Sequence, residues 1–220
     1  MKLAHIVVEP PGDGPHPTII ALHGFGSTAL ELLGQLEPLI RRERFLWIAP
    51  EAEAPVATEG GAASAGRGWF PFTPANRPTS RSIAQAVAGA REFVEEACLR
   101  YPIDRSRLVL LGFSQGGVIA YALALSDPSR YRALVALSSW LSNDLLRALP
   151  DADRRRFPVW VQHGTRDEVI MVSRGRDSAA RLRELGVELR YHEYDAAHEV
   201  GAPSLADLAD LLEGLLLGDS

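Results

Sequence analysis

The stretch Gly112-Phe113-Ser114-Gln115-Gly116-Gly117 decides how the rest of the chain is read. Arg107-Leu108-Val109-Leu110-Leu111 runs into it with the apolar, branched composition of a buried strand, and Val118-Ile119-Ala120-Tyr121-Ala122-Leu123-Ala124-Leu125 leaves it with that of a helix. Strand, Gly-x-Ser-x-Gly and helix in that order make a nucleophile elbow, a turn so tight that a side chain at Gly112 or Gly116 would strike neighbouring backbone. Such a turn strains the serine and lifts its hydroxyl above the sheet. It also sets the hydroxyl beside the first amides and the positive dipole end of the next helix, where an oxyanion can be stabilised. A glycine-rich turn that only joins strand to helix is the competing reading, and the two flanks favour the catalytic one.

Working outward, strands alternate with helices. His5-Ile6-Val7-Val8, Thr18-Ile19-Ile20-Ala21-Leu22, Phe45-Leu46-Trp47-Ile48-Ala49, Ala133-Leu134-Val135-Ala136-Leu137, Pro158-Val159-Trp160-Val161-Gln162 and residues 188–194 read as strands. Residues 29–42, 82–100, 143–149, 172–185 and 204–217 read as helices, with Gly186 as a stop signal. Alternation on this period predicts a mostly parallel sheet with helices on both faces, in which ligands sit at the carboxyl ends of strands. His23, Ser114, Asp167 and His198 all fall at such ends. No repeat, linker or second domain interrupts residues 1–220, so one domain is expected.

Residues 51–80 have no convincing period and are rich in Ala, Gly and Pro around Gly66-Arg67-Gly68-Trp69-Phe70-Pro71-Phe72. A loop of that length is functional more often than idle, and three aromatics need burial or a ligand. It reads as a segment folded over the serine that builds the pocket wall; a hydrophobic plug over the sheet is the plainer alternative.

Composition narrows the function. Hydrophobic content of 46%, charged content of 23% and a net charge of −5 are ordinary for a globular protein and argue against nucleic-acid or anionic-membrane partners. Lys2 is the only lysine. Cys98 stands alone, so no internal disulfide forms, and no Cys/His cluster has metal-site spacing. No stretch has the length of a membrane span, and the N-terminal apolar run is too short for a signal peptide, so a cytoplasmic protein without stable membrane insertion is expected.

A serine hydroxyl needs a base, and a histidine base needs a carboxylate to fix its tautomer and stabilise its cation. Ser114, Asp167 and His198 follow one another in the order this topology requires. Asp195 is the rival acid but lies three residues from His198 and reads as a turn former. His23 and His163 read as structural, and His5, His16 and His192 have nothing to recommend them. The amide of Gln115 and one from His23-Gly24-Phe25-Gly26, presented by Phe25, are the expected oxyanion donors.

At these residues the chain resembles the α/β-hydrolase superfamily and, more closely, the phospholipase/carboxylesterase family, which includes acyl-protein thioesterases and small bacterial carboxylesterases. The likeness runs through His23-Gly24-Phe25-Gly26, Gly68-Trp69-Phe70, Gly112-Phe113-Ser114-Gln115-Gly116-Gly117, Leu137-Ser138-Ser139-Trp140-Leu141, His163-Gly164-Thr165-Arg166-Asp167 and Ala197-His198-Glu199, and so covers nearly the whole chain. It implies an α/β-hydrolase fold without a separate cap domain, acting on a small acyl ester or thioester through an acyl-enzyme, with no cofactor and no metal. It implies Ser114, Asp167 and His198 as catalytic residues, Phe25 and Gln115 at the oxyanion hole, and Trp69 and Trp140 against substrate. Thioesterase or lysophospholipase action uses the same triad; a non-catalytic binding protein on this fold is the remote alternative. A homodimer is compatible with the sequence. Pro71 and Ser27 stand where the family often has acidic residues, which bears on substrate preference more than on the reaction.

Overall fold

The computed structural model describes residues 1–57, 63–72 and 78–218. In chain order the elements are β1 (His5–Val8), β2 (His16–Leu22), α1 (Ala29–Gln35), α2 (Glu37–Ile40), β3 (Leu46–Pro50), β4 (Ala54–Ala57), β5 (Ala63–Gly68), α3 (Ser80–Arg100), β6 (Ile103–Phe113), α4 (Gln115–Ser126), β7 (Ala133–Leu137), α5 (Asn143–Ala148), β8 (Pro158–Gly164), α6 (Val172–Glu184), β9 (Glu188–Tyr194) and α7 (Ala202–Leu216). Seven strands form one sheet in the order β1-β3-β2-β6-β7-β8-β9. Only β1 runs antiparallel to its neighbour; the other pairs are parallel. The mostly parallel sheet expected from the alternation is therefore present, with no separate cap among the described residues.

Alternate residues of the central strands feed two cores. Ile20 and Leu22 of β2 and Leu108 and Leu110 of β6 pack with Phe93 of α3, Leu145 of α5, Leu182 of α6 and the whole of α4. Ile19 and Ala21 of β2 and Val109 and Leu111 of β6 pack with Leu32 and Leu33 of α1, Leu39 of α2 and Leu208 and Leu212 of α7. The period-two reversal of side chains along each strand is what sends neighbours to opposite faces. α4 is buried along almost its full length, which explains why its sequence carries no polar face.

Two local readings change. The helix expected over 29–42 is two, α1 and α2, separated at Leu36. Pro38 is the cause: it lacks an amide hydrogen and its ring would press on the carbonyl of Gly34, so it starts a new helix and cannot continue the old one. Within residues 51–80, expected as an aperiodic loop, β4 and β5 form an antiparallel pair with Ala54 opposite Gly68 and Pro55 opposite Arg67. Their Ala, Gly and Pro composition lacks strand propensity and alternation, because the pairing rests on main-chain bonds rather than on a buried face. The pocket-wall expectation falls partly on 58–62 and 73–77, which lie outside the described residues.

Candidate active site

The elbow is built from β6 and α4. Ser114 takes φ 53° and ψ −117°, a conformation that L-residues avoid, so the tight strand-to-helix turn is present. Methyl groups at Gly112 and Gly116 would overlap the Gly116 and Leu22 carbonyls respectively, which accounts for both glycines. The strained serine is tied on both sides: its amide donates to Leu137 O at 2.9 Å, and its carbonyl accepts from Ser139 Oγ at 2.7 Å. Ser139 has no exposed surface and was not singled out in the sequence; only its apposition to Gly117 reveals it.

Asp167 and His198 leave neighbouring strands, β8 and β9. The loops carrying them are fastened to each other through Thr165 N to Tyr194 O (2.8 Å) and Arg166 N to Ala196 O (3.0 Å). His198 Nδ1 lies 2.7 Å from Asp167 Oδ2, and the Asp167 side chain is fully buried. The other carboxylate oxygen accepts from the amides of Val169 (3.0 Å) and Ile170 (2.8 Å), which fixes its plane. An acceptor on Nδ1 places that ring proton there and leaves Nε2 as the basic nitrogen. The His198 ring packs on that of Phe113, the residue before Ser114, centroid to centroid 4.8 Å. Asp195 instead pairs with Arg166 at 2.6 Å on the surface. A further network, Gln162 to Tyr194 OH (3.1 Å) and Tyr194 OH to Asp207 (2.6 Å), pins the ends of β8 and β9 to α7.

The loop after β2 closes the other side of the serine. A methyl built on Gly24 would sit 3.3 Å from Ser114 Cβ, so Gly24 lies against Ser114. The amides of Phe25 and Gln115 donate to no acceptor among the described residues. Beneath this loop His23 is buried and neutral. Its Nδ1 donates to Gly24 O at 2.7 Å, and its Nε2 accepts from Ala52 N at 3.1 Å. Burial pushes its pKa below the usual histidine value, against the opposing pull of the Gly24 carbonyl and Glu51. His163, likewise buried, reaches Ile170 O at 2.6 Å, so both histidines hold loops, as expected.

The two tryptophans expected against substrate occupy different places. Trp140 is partly exposed and stacks on Phe72 with centroids 5.4 Å apart; Phe72 in turn meets the edge of Phe25 at 6.0 Å. Trp69 is 9% exposed and packs in the core, with Nε1 donating to His23 O at 2.9 Å. Phe72 was read only as one aromatic of a cluster. Its position between Phe25 and Trp140 comes from chain folding. No group of metal-ligating side chains occurs among the described residues.

Sheet order, elbow and the acid–histidine pair at one sheet edge define an α/β-hydrolase. The sequence profile of the phospholipase/carboxylesterase family matches residues 3–216, and the chain belongs to that family. It is 26% identical to an acyl-protein thioesterase 1 of Gibberella zeae over 86% of each chain, and 24% identical to the carboxylesterase SOBER1 of Arabidopsis thaliana over 92% of each. Among solved structures its fold is similar to that of esterase PE8, with a TM-score of 0.85 at 22% identity over 98% of this chain and 100% of that one. It is also similar to a Bacillus cereus carboxylesterase, with a TM-score of 0.79 at 18% identity over 97% and 95%.

Proposed function

We propose that the protein is a serine hydrolase that cleaves carboxylic esters through an acyl-enzyme, with Ser114 as nucleophile, His198 as general base and acid, and Asp167 as the group that holds and stabilises the imidazole. One observation carries the reading: the 2.7 Å His198–Asp167 bond, made next to a serine strained into the elbow conformation. His198 Nε2 takes the hydroxyl proton as Ser114 Oγ attacks the acyl carbon. The carbonyl oxygen becomes an oxyanion, which the amides of Phe25 and Gln115 receive. His198 returns the proton to the leaving alcohol. Water, activated by the same imidazole, then releases the acid and restores Ser114. No step calls for a cofactor.

Trp140 with Phe72 supplies apolar wall for the acyl group in this reading, and Trp69 contributes to the same wall from behind the oxyanion loop. The thioesterase name of the Gibberella relative supports thioesters as a second substrate class, since both carbonyls offer the triad the same geometry. The whole chain acts as one domain here. Its negative charge and lone cysteine fit a cytoplasmic site of action, and its dimerisation is decided by sedimentation of the purified chain.

The test is a panel of oxyesters and thioesters of graded acyl length, run with wild type and Ser114→Ala beside fluorophosphonate labelling. Wild type labels at Ser114 and turns over esters, and Ser114→Ala loses roughly 10⁴- to 10⁶-fold in kcat while staying folded. A folded Ser114→Ala protein with near-normal turnover overturns the mechanism, and a wild type that neither labels nor hydrolyses is a binding protein instead.

A further inference from the structure

The two expected oxyanion donors belong to different loops, and the sheet holds those loops in register only as far as the β2–β6 pair Leu22 and Gly112. Beyond that point some other contact has to set the distance between the amides of Phe25 and Gln115. Gly24 and Gly116 pack the two loops directly, against Ser114 Cβ and against the Leu22 and His23 carbonyls, and the directional bonds between them come from a side chain: the carboxamide of Gln115 itself, 1% exposed. Its Oε1 accepts from Trp69 N at 2.7 Å, and its Nε2 donates to Phe70 O at 2.7 Å. Trp69 carries the connection onward, because its indole Nε1 donates to His23 O at 2.9 Å, two residues before Phe25. Just upstream, Arg67 N donates to Ser27 O at 2.8 Å and Gly26 N donates to Arg67 O at 2.9 Å, two residues and one after Phe25. Gly66 is required there, since a methyl group would overlap Gly26 O. Residues 66–70 therefore grip the Phe25 loop on both sides of the donor and grip the elbow through one carboxamide.

We propose that the Gln115 side chain is a positioning residue: through Trp69 it fixes the separation of the Phe25 and Gln115 amides and so presets the oxyanion hole. Its carboxamide serves as both donor and acceptor to one stretch of main chain, a demand that few other side chains of that length meet. Because the bonds are buried, they are stiff, and leaving their partners unpaired is costly. An oxyanion site gains most when its donors need no rearrangement as charge develops, so loosening it should act on the transition state and spare ground-state binding.

The inference rests on the esterase reading, and Gln115→Met tests it by keeping side-chain length and removing both bonds. Rates are expressed per serine titrated with a fluorophosphonate, which discounts unfolded enzyme. Expected are a fall in kcat of about 10- to 100-fold, KM within about 3-fold, and a matching loss of affinity for an alkylboronic acid, whose tetrahedral adduct places an oxygen in the hole. Trp69→Phe, which removes the bond to His23 and leaves the two main-chain bonds to the Gln115 carboxamide in place, loses about 3- to 10-fold in kcat, and the double variant loses less than the product of the two, since both act on one connection. Should Gln115→Met not fold, Trp69→Phe decides alone. An active wild type whose variants match it per titrated serine overturns the inference and leaves the esterase reading standing; an inactive, unlabelled wild type overturns the esterase reading first.

Discussion

At the scale of single residues the loops of the site are held by buried polar groups behind Ser114. His23 is the clearest. It can accept from Ala52 N only while Nε2 is unprotonated, and burial keeps it so by pushing its pKa below the ordinary 6.5. The unfolded chain therefore takes up a proton near that value that the folded chain refuses. Stability is full above about pH 6.5 and falls as the pH drops below it, because the unfolded state binds more protons there. In urea unfolding followed between about pH 7 and 5, wild type should lose stability more steeply than His23→Gln. Equal slopes would remove His23 as the source. The same ring orders Gly24, and the main-chain carbonyl of the same residue anchors Trp69.

Among elements, α4 does the most. It begins at the nucleophile, runs under α3 and is walled in on every side. A helix so placed needs apolar residues all round, yet Tyr121 is fully buried with no hydrogen-bond partner for its hydroxyl among the described residues, and burial pushes its pKa far up. An unpartnered buried hydroxyl is a cost, so Tyr121→Phe should raise unfolding stability by about 1 kcal/mol and leave kcat unchanged. A stability loss of that size would reveal a partner for the hydroxyl. The β4–β5 pair does different work: it has little apolar face, and its main chain is spent on the loop after β2. The element least legible in the sequence is thus the one that holds the loop after β2.

Across the whole molecule, one sheet separates two cores. Ile119 of α4 and Ile19 of β2 are both fully buried, one in each. Ile119→Val and Ile19→Val should each cost about 0.5 to 1.5 kcal/mol and add to within about 0.5 kcal/mol in the double variant, because the sheet stands between them. A larger coupling would show that the sheet transmits strain from one face to the other. The arrangement also explains the site's location. With the strands parallel, the loops after β2, β6, β8 and β9 share one edge, and residues as far apart in sequence as Gly24, Ser114, Asp167 and His198 meet there.

By itself the sequence determined the seven strands of the main sheet and most helices, the elbow and the order in which Ser114, Asp167 and His198 follow one another. These are local: apolar period, turn chemistry and two obligatory glycines write them into short stretches. It also separated Asp167 from Asp195, which the 2.7 Å bond to His198 now accompanies. Tertiary structure alone decided the rest. The break at Leu36 was foreshadowed by Pro38, but the β4–β5 pair had no period to betray it. Nothing near Gln115 in sequence says that its carboxamide meets residues some 45 positions upstream, or that Trp69 turns inward while Trp140 and Phe72 stay at the surface. Patterns of hydrophobicity specify which face of an element is buried. They do not specify which main-chain group a buried polar side chain will find, because that depends on loops whose positions are fixed only once the sheet has brought their ends together.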